Sequence, residues 1–377
     1  MRVIFTCGGT AGHVNPALAL AGCLREMDPA TEVLFVGAER GLERKLIEHA
    51  GYPFRAVNIS SFYRSLGPAA FRHNLETIRN LVRSPHEAEA ILRDFRPDLI
   101  VGTGGYASYP ITLAGARHGI PSAVHESNAV PGLTTRLLEP HVDRILVGFE
   151  DCRKHYRHRG KVVVTGTPVR GDFFALTKEE AKKKLGVDDG RPLLVSFWGS
   201  LGAGHMNELM AEFIELECAH EPYHHIHSVG SIGWQKMQDE LRARGVDLAQ
   251  HPSVDVREYI YDMATVMRAA DLVLCRAGAS TLSELTALGV PAILVPSPNV
   301  TNNHQERNAD VLGAHGAAIV LGEEWMDGKK LFSAAGKILH DEARRAEMAQ
   351  HMAELGTRDA TRRICGVLLT LCASKGK

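Results

Sequence analysis

At 377 residues the chain exceeds what one ordinary hydrophobic core holds, so two domains are the default expectation. Hydrophobic residues make up 45% and charged residues 23%, which excludes a disordered chain, and a net charge of −1 provides no global field for nucleic acid. Seven scattered cysteines, odd in number and with no C-x-x-C pair, signal neither a disulfide framework nor a zinc site.

The opening Met1–Cys7 lacks the length and cleavage pattern of a signal peptide. No apolar stretch approaches the roughly 18 to 20 residues that span a bilayer. The expectation is a soluble chain, or one that sits on a membrane surface. Val3–Thr6 reads as a short apolar strand and Pro16–Glu26 as the amphipathic helix after it. Glu32–Val36 is a second strand, Leu42–Ala50 a helix, and Leu99–Val101 a strand running into Gly102-Thr-Gly-Gly-Tyr106. Ser122–Val124 and Arg144–Val147 continue the series. Short apolar strands separated by helices predict a parallel sheet covered on both faces.

Past Gly166-Thr-Pro-Val-Arg170 the pattern starts again with helix Lys178–Leu185. Strand Leu193–Phe197 then enters Gly199-Ser-Leu-Gly-Ala-Gly204, repeating the strand-to-glycine-loop opening. Strands around His225–Val229, Asp255–Arg257, Leu272–Cys275 and Ala292–Val295 follow, and Arg344–Leu371 is mostly helical by pattern. Two similar α/β halves are the economical reading.

Several motifs sit where such halves place their chemistry. Gly8-Gly-Thr-Ala-Gly-His13 lies between a strand and a helix, where glycine lets the backbone approach a ligand and the helix start favours an anion. A dinucleotide fingerprint needs glycine where Thr10 and His13 stand, which weakens a nicotinamide or flavin reading. The plain alternative is a tight turn with no ligand. Gly199–Gly204 is the same device in the second half, and ligands of open α/β sheets bind at that edge. In Cys275-Arg-Ala-Gly-Ala-Ser-Thr-Leu-Ser-Glu284, Ser280 and Glu284 read either as a helix cap or as backbone and carboxylate for a diphosphate and a ribose.

Asn302-Asn-His-Gln-Glu-Arg-Asn308 suits sugar hydroxyls or a polar surface helix, and His125-Glu-Ser-Asn128 closes a short strand. His224-His-Ile-His227 reads as a strand with incidental histidines, His225 facing away from the other two, and not as a metal site. Phe71, Leu75, Ile78 and Val82 form one helical stripe flanked by Arg72 and Arg79. That stripe reads as a core face or as a contact with an anionic membrane surface.

Taken together and in this order, the motifs resemble the MurG family, bacterial N-acetylglucosaminyltransferases that convert the first lipid intermediate of peptidoglycan synthesis into the second. The likeness runs over roughly residues 1–370. It implies an α/β fold of two Rossmann-like domains, the glycosyltransferase B-type fold, with an interdomain cleft. Residues 1–165 with a C-terminal helix, 350–377, that crosses back would form the acceptor and membrane-side domain, and 166–349 the donor domain. The donor would be UDP-N-acetylglucosamine and the acceptor lipid I, undecaprenyl-diphosphate N-acetylmuramoyl-pentapeptide, joined with inversion to give a β-1,4 linkage. No cofactor and no metal are implied. A peripheral position on the cytoplasmic face of the membrane, and contact with other cell-wall synthesis and division proteins, belong to the same expectation.

Carried over by position, Thr10, Ala11 and Gly12 would line the donor cleft and Asn128 would touch the donor sugar. Arg170 and Ser200 would meet the diphosphate, and Ile260 would hold uracil through its backbone. Ala279, Ser280, Thr281, Leu282, Ser283 and Glu284 would bind diphosphate and ribose, and Gln305 with His304 the sugar hydroxyls. His13 is the expected base, since a neutral imidazole takes a proton at pH 7, and Glu126 the second catalytic candidate. The chain departs from the pattern at Ala11, Ser127, Trp198 and Leu201, none of them a charged or catalytic candidate. The competing classes are a UDP-N-acetylglucosamine epimerase of related fold, a nicotinamide oxidoreductase and a non-enzymatic nucleotide-sugar binder.

Overall fold

The computed structural model describes residues 1–8, 11–39, 42–59, 84–199, 202–220, 223–300 and 303–375, with 11, 42 and 375 described by backbone alone. Two parallel sheets organise the chain. β1 (Arg2–Thr6), β2 (Glu32–Ala38), β3 (Phe54–Val57), β4 (Leu99–Gly102), β5 (Ser122–Glu126), β6 (Arg144–Val147) and β7 (Val162–Val164) lie in the order β3-β2-β1-β4-β5-β6-β7. β8 (Leu193–Phe197), β9 (His224–Ser228), β10 (Val254–Arg257), β11 (Leu272–Cys275), β12 (Ala292–Leu294) and β13 (Ala318–Val320) lie in the order β10-β9-β8-β11-β12-β13. In each, the opening strand is interior and the strand order reverses beside it, which is the doubly wound arrangement. One compact unit holds Met1–Arg170 with Thr357–Lys377, the other Gly171–Gly356. The expected α/β fold of two Rossmann-like domains is what the chain adopts.

Alternation along β1 shows how both faces of the first sheet are covered. Val3 and Phe5 pack with Val14, Leu20 and Leu24 of helix Ala11–Met27 and with Ile364 and Leu368 of helix Ala360–Lys375. Ile4 points the other way, into a cluster with Val36, Ile91 and Ile111. Each such buried side chain contributes about 1.5–3 kcal/mol, so the final helix is part of the first core. Sequence patterning misses β3, β7 and β13. All three stand at sheet edges and are partly exposed: Arg55 interrupts β3, while β7 and β13 are apolar but only three residues long, too short for a pattern to set them apart.

The helix expected from Pro16 begins at Ala11 instead. Proline at its sixth position removes one intrahelical bond without ending the helix. At the other end of the chain the helical tail is two helices, Glu342–Leu355 and Ala360–Lys375, in different units. Gly356 separates them, and a Cβ there would stand 2.2 Å from the Thr286 carbonyl oxygen.

The histidine run corrects the sequence reading in one respect. His225 and His227, two residues apart, share a face and both meet Ser196 Oγ, through Nε2 and Nδ1, at 2.7 Å each. His224 takes the other face and reaches Asp189 at 2.9 Å. Period-two geometry pairs 225 with 227, not 224 with 227. His225 Nδ1 continues the chain to Glu217 Oε1 at 2.6 Å. Ser196, Glu217, His225 and His227 are all at most 1% exposed. Burial lowers the His227 pKa to about 3 and raises that of Glu217 against the pull of His225. These imidazoles are committed to protein partners inside the second core.

Candidate active site

Two glycine loops of the first unit, at the carboxyl ends of β1 and β4, lie against each other. A Cβ on Gly105, whose φ is +80°, would stand 2.1 Å from the Gly8 carbonyl oxygen. One on Gly104 would stand 2.6 Å from the His13 ring. Only glycine allows this approach. His13 Nδ1 is 2.8 Å from the Gly8 carbonyl. A carbonyl oxygen only accepts, so Nδ1 carries the proton and Nε2 is the basic nitrogen of the neutral ring. Thr103 Oγ1 donates to the His13 backbone carbonyl at 2.6 Å and holds the first turn of the helix. Sequence reading quotes Thr103 but gives it no role; a hydroxyl between glycines at a strand's carboxyl end is the signal that marks it.

Glu126, at the end of β5, has every acceptor direction engaged. Oε1 accepts from the Asn128 backbone N–H at 3.1 Å and from Asn128 Nδ2 at 2.9 Å. Oε2 accepts from the Gly132 N–H and from Thr135 Oγ1, both at 2.9 Å. One carboxylate therefore fixes the loop 127–132 and the start of helix Leu133–Leu138. Cys152 Sγ adds a contact to the Asn128 carbonyl at 3.0 Å. His125 is buried beside it, with Nε2 3.2 Å from the Gly166 carbonyl and Nδ1 3.3 Å from Ser127 Oγ. Burial pushes the His125 pKa down to about 4, against the Gly166 bond and the Glu126 charge. Neutral His125 thus donates to Gly166 and accepts from Ser127, tying β5 to the segment that leads to the exposed Arg170.

In the second unit the loop after β8 tucks against the exit of β9, where a Cβ on Gly202 would meet the Val229 carbonyl at 2.2 Å. Helix Ala279–Leu288 starts after Gly278, with no side-chain cap. The capping-box alternative for Ser280 and Glu284 is thereby set aside. The helix's own ladder begins with Leu282 N–H to the Gly278 carbonyl at 3.0 Å. The N–H groups of Ala279, Ser280 and Thr281 stand ahead of it, at the positive end of the helix dipole. Ser283 Oγ donates to the Ala279 carbonyl at 2.8 Å, Leu282 is buried in the core, and Glu284 is half-buried on the next turn.

Ile260 is buried between the exposed Tyr259 and Tyr261, which meet edge to face at 5.0 Å. His304 opens helix His304–Ala314 after Asn303, whose φ is +49°. Gln305 Oε1 accepts from the Ser297 N–H at 2.9 Å. Thr10, Ser200 and the stripe of Phe71, Arg72, Leu75, Ile78, Arg79 and Val82 lie outside the described residues, as does the side chain of Ala11. Gly12 and His13 belong to the first turns of helix Ala11–Met27. Among the described residues no helix is long and apolar enough to cross a membrane.

Residues 3–147 match the glycosyltransferase family 28 N-terminal domain and residues 193–364 its C-terminal domain. The UDP-N-acetylglucosamine–N-acetylmuramyl-(pentapeptide) pyrophosphoryl-undecaprenol N-acetylglucosamine transferase of Acetivibrio thermocellus is 38% identical over 375 residues, covering 100% of this chain and 99% of its own. The chain belongs to this glycosyltransferase family. Among solved structures, MurG of Acinetobacter baumannii superposes with a TM-score of 0.74 at 24% identity, covering 98% of this chain and 99% of its own. That likeness shows the fold, the glycosyltransferase B type. A UDP-GlcNAc 2-epimerase from Neisseria meningitidis, solved with UDP-GlcNAc bound, shares the fold at a TM-score of 0.65 and 16% identity, covering 98% of this chain and 100% of its own.

Proposed function

We propose that this family member transfers N-acetylglucosamine from UDP-N-acetylglucosamine to the C4 hydroxyl of the N-acetylmuramoyl sugar in undecaprenyl-diphosphate N-acetylmuramoyl-pentapeptide, converting lipid I to lipid II. The full-length identity of 38% to a transferase of that name carries the reading. In direct displacement, the acceptor C4 oxygen attacks the anomeric carbon, the bond from that carbon to the UDP oxygen breaks, and UDP leaves with the electron pair. His13 Nε2 takes the hydroxyl proton, a role its Nδ1–H···O=C bond to Gly8 prepares by fixing the tautomer. The helix start at Ala279–Thr281, with Arg170 and the loop carrying Ser200, stabilises the departing diphosphate.

Ile260 presents its backbone to uracil, Glu284 binds the ribose, and His304 and Gln305 read the sugar, as does Asn128. Glu126, with four donors on its carboxylate, is assigned the placing of Asn128 and not proton transfer. The first unit takes the acceptor and the second the donor. The same reading sets the chain on the cytoplasmic face of the membrane, with Phe71–Val82 as its contact and cell-wall synthesis and division proteins as neighbours.

The test is incubation with labelled UDP-N-acetylglucosamine and a short-chain lipid I analogue. Labelled lipid product is the expected result; epimerised free sugar, the outcome for the epimerase class, or no turnover overturns the proposal. His13→Ala is expected to lower turnover by about 10²–10⁴-fold with donor binding kept. Near-normal turnover in that variant removes His13 as the base.

A further inference from the structure

One part-buried cation of the second unit has no part in the proposed chemistry, yet it stands in one of the loops assigned to the donor and meets the exits of the strands that open two others. Arg276, at the exit of β11, is 13% exposed. Its Nη1 donates to the Val295 carbonyl at 3.0 Å, to the Pro296 carbonyl at 3.3 Å and to Glu323 Oε2 at 2.7 Å. Glu323, 14% exposed, follows β13 and opens the short helix Glu323–Trp325. The guanidinium carbon stands 5.7 Å from the ring centre of Trp198, within reach of a cation–π contact. A cation at this depth persists because charge, carbonyls and ring together replace water.

The position of these partners matters more than their number. Trp198 immediately precedes Gly199 and the Ser200 loop. Arg276 precedes the turn into helix Ala279–Leu288, and Asn308, fully buried, donates to the intervening Ala277 carbonyl at 3.3 Å. Val295 and Pro296 lead into Ser297, the residue whose N–H Gln305 holds. Thus the exits of β8, β11 and β12, each opening a loop given to diphosphate, ribose or sugar, are fastened at one guanidinium.

We propose that Arg276 is a positioning residue for nucleotide-sugar binding, and that Trp198 and Glu323 act through it, one as its ring cover and the other as its counter-ion. This rests on the donor reading given above. Trp198 is 3% exposed and its indole N–H is buried without a hydrogen-bond partner among the described residues. An orphaned donor is unfavourable, so the ring is held there by its face and not by its N–H. A phenyl ring at that position serves equally.

The experiment compares the full chain with Arg276→Lys, Glu323→Gln, Trp198→Gly and Trp198→Phe, measuring UDP binding by calorimetry and steady-state kinetics with both substrates. Lysine keeps the charge but not the planar, weakly hydrated guanidinium whose Nη1 meets two carbonyls and a carboxylate beside the Trp198 ring. Arg276→Lys is expected to weaken UDP binding and raise the UDP-N-acetylglucosamine KM about tenfold, one decade per 1.4 kcal/mol. The lipid acceptor KM should stay unchanged. Glu323→Gln and Trp198→Gly move the same constants by about threefold on that scale, and Trp198→Phe leaves them at the wild-type value.

Thermal melts establish that each variant is folded; if Arg276→Lys fails to fold, Glu323→Gln and Trp198→Gly carry the test. Unchanged donor constants in folded variants, or an equal rise in acceptor KM, overturn the positioning role while leaving the transferase reading intact. A wild-type chain that binds no UDP overturns both.

Discussion

The two sheets run their strands in the same order from the edge inward, yet they bury different chemistry. β4 is fully buried and apolar save for its last glycine, and β1 places Val3, Ile4 and Phe5 in dry clusters on either face. β8 and β9 instead bring Ser196, His225 and His227 to the same depth, with Glu217 at the end of the chain of bonds. Ser196 has one hydroxyl proton and can donate to only one of its two imidazoles; the other ring must donate to it. The proton positions along Glu217, His225, Ser196 and His227 are therefore set jointly. Topology is indifferent to this choice because helix cover and right-handed crossovers dictate it. The response to damage is not indifferent: an apolar core loses in proportion to the volume removed, whereas a buried polar chain that loses one member leaves its neighbours buried and unpaired.

Glu217→Ala tests that difference most severely. Leaving His225 buried without its partner costs about 1–3 kcal/mol, the emptied side-chain volume adds to that, and the loss should appear in the second unit. Hydrogen exchange of the β9 amides, residues 224–228, is expected to accelerate by orders of magnitude while that of β1, residues 2–6, stays near wild type. Equal acceleration in both sheets means that the two units unfold together and that the contrast has no energetic content.

Acid sharpens the comparison from the other side. His125 of the first unit has a pKa of about 4 in the fold, against about 6.5 for an unfolded histidine. Its folded value is the lower one, so between those limits the unfolded chain binds more protons and stability falls as the pH falls. The full window amounts to about 3 kcal/mol. In the second unit His227, at about 3, acts in the same direction. Glu217, raised by burial, acts in the opposite one, because its folded form holds a proton at a pH where the unfolded form has lost it. Urea denaturation followed from pH 7 to pH 4.5 should show a shallower acid loss for His125→Gln than for the wild type. An unaltered slope assigns the acid sensitivity to other groups.

Much of this was legible beforehand, and what was not has physical causes. Central strands such as Leu99–Val101 announce themselves because both faces are buried and the run is apolar. The edge strands β7 and β13 stay hidden because three apolar residues are too few to show a period, and β3 because exposed Arg55 breaks its run. The glycine loops are visible as composition, but the pairing of Gly105 with Gly8 joins residues 97 apart in sequence order (105 − 8), and no local pattern carries it. Helix Lys178–Leu185 is written in full: Thr177 and Glu180 form its capping box and Gly186, at φ +71°, ends it. Helix Ala279–Leu288 has a sequence that resembles a capping box and does not form one, since its backbone turns helical one residue before Ser280. Arg276 is in plain sight within its motif, but its partners come from three other strands' exits.

The smallest effect separates Glu126 from His13. Glutamine at 126 keeps one carbonyl oxygen and turns the other acceptor into a donor, so two of the four bonds to Asn128, Gly132 and Thr135 are lost. Loss of a charge-assisted bond is worth about 1.5–3 kcal/mol, and the loop 127–132 can relax part of it toward solvent. Glu126→Gln is therefore expected to lower kcat/KM for UDP-N-acetylglucosamine about tenfold, near the lower end of that range. The loss should fall mainly on KM, because a displaced Asn128 weakens ground state and transition state alike. The pH–rate profile should keep its wild-type shape, since the proton acceptor is untouched. A general base at position 126 gives the contrary result: a fall of kcat by several decades at unchanged KM, with the acidic limb of the profile displaced.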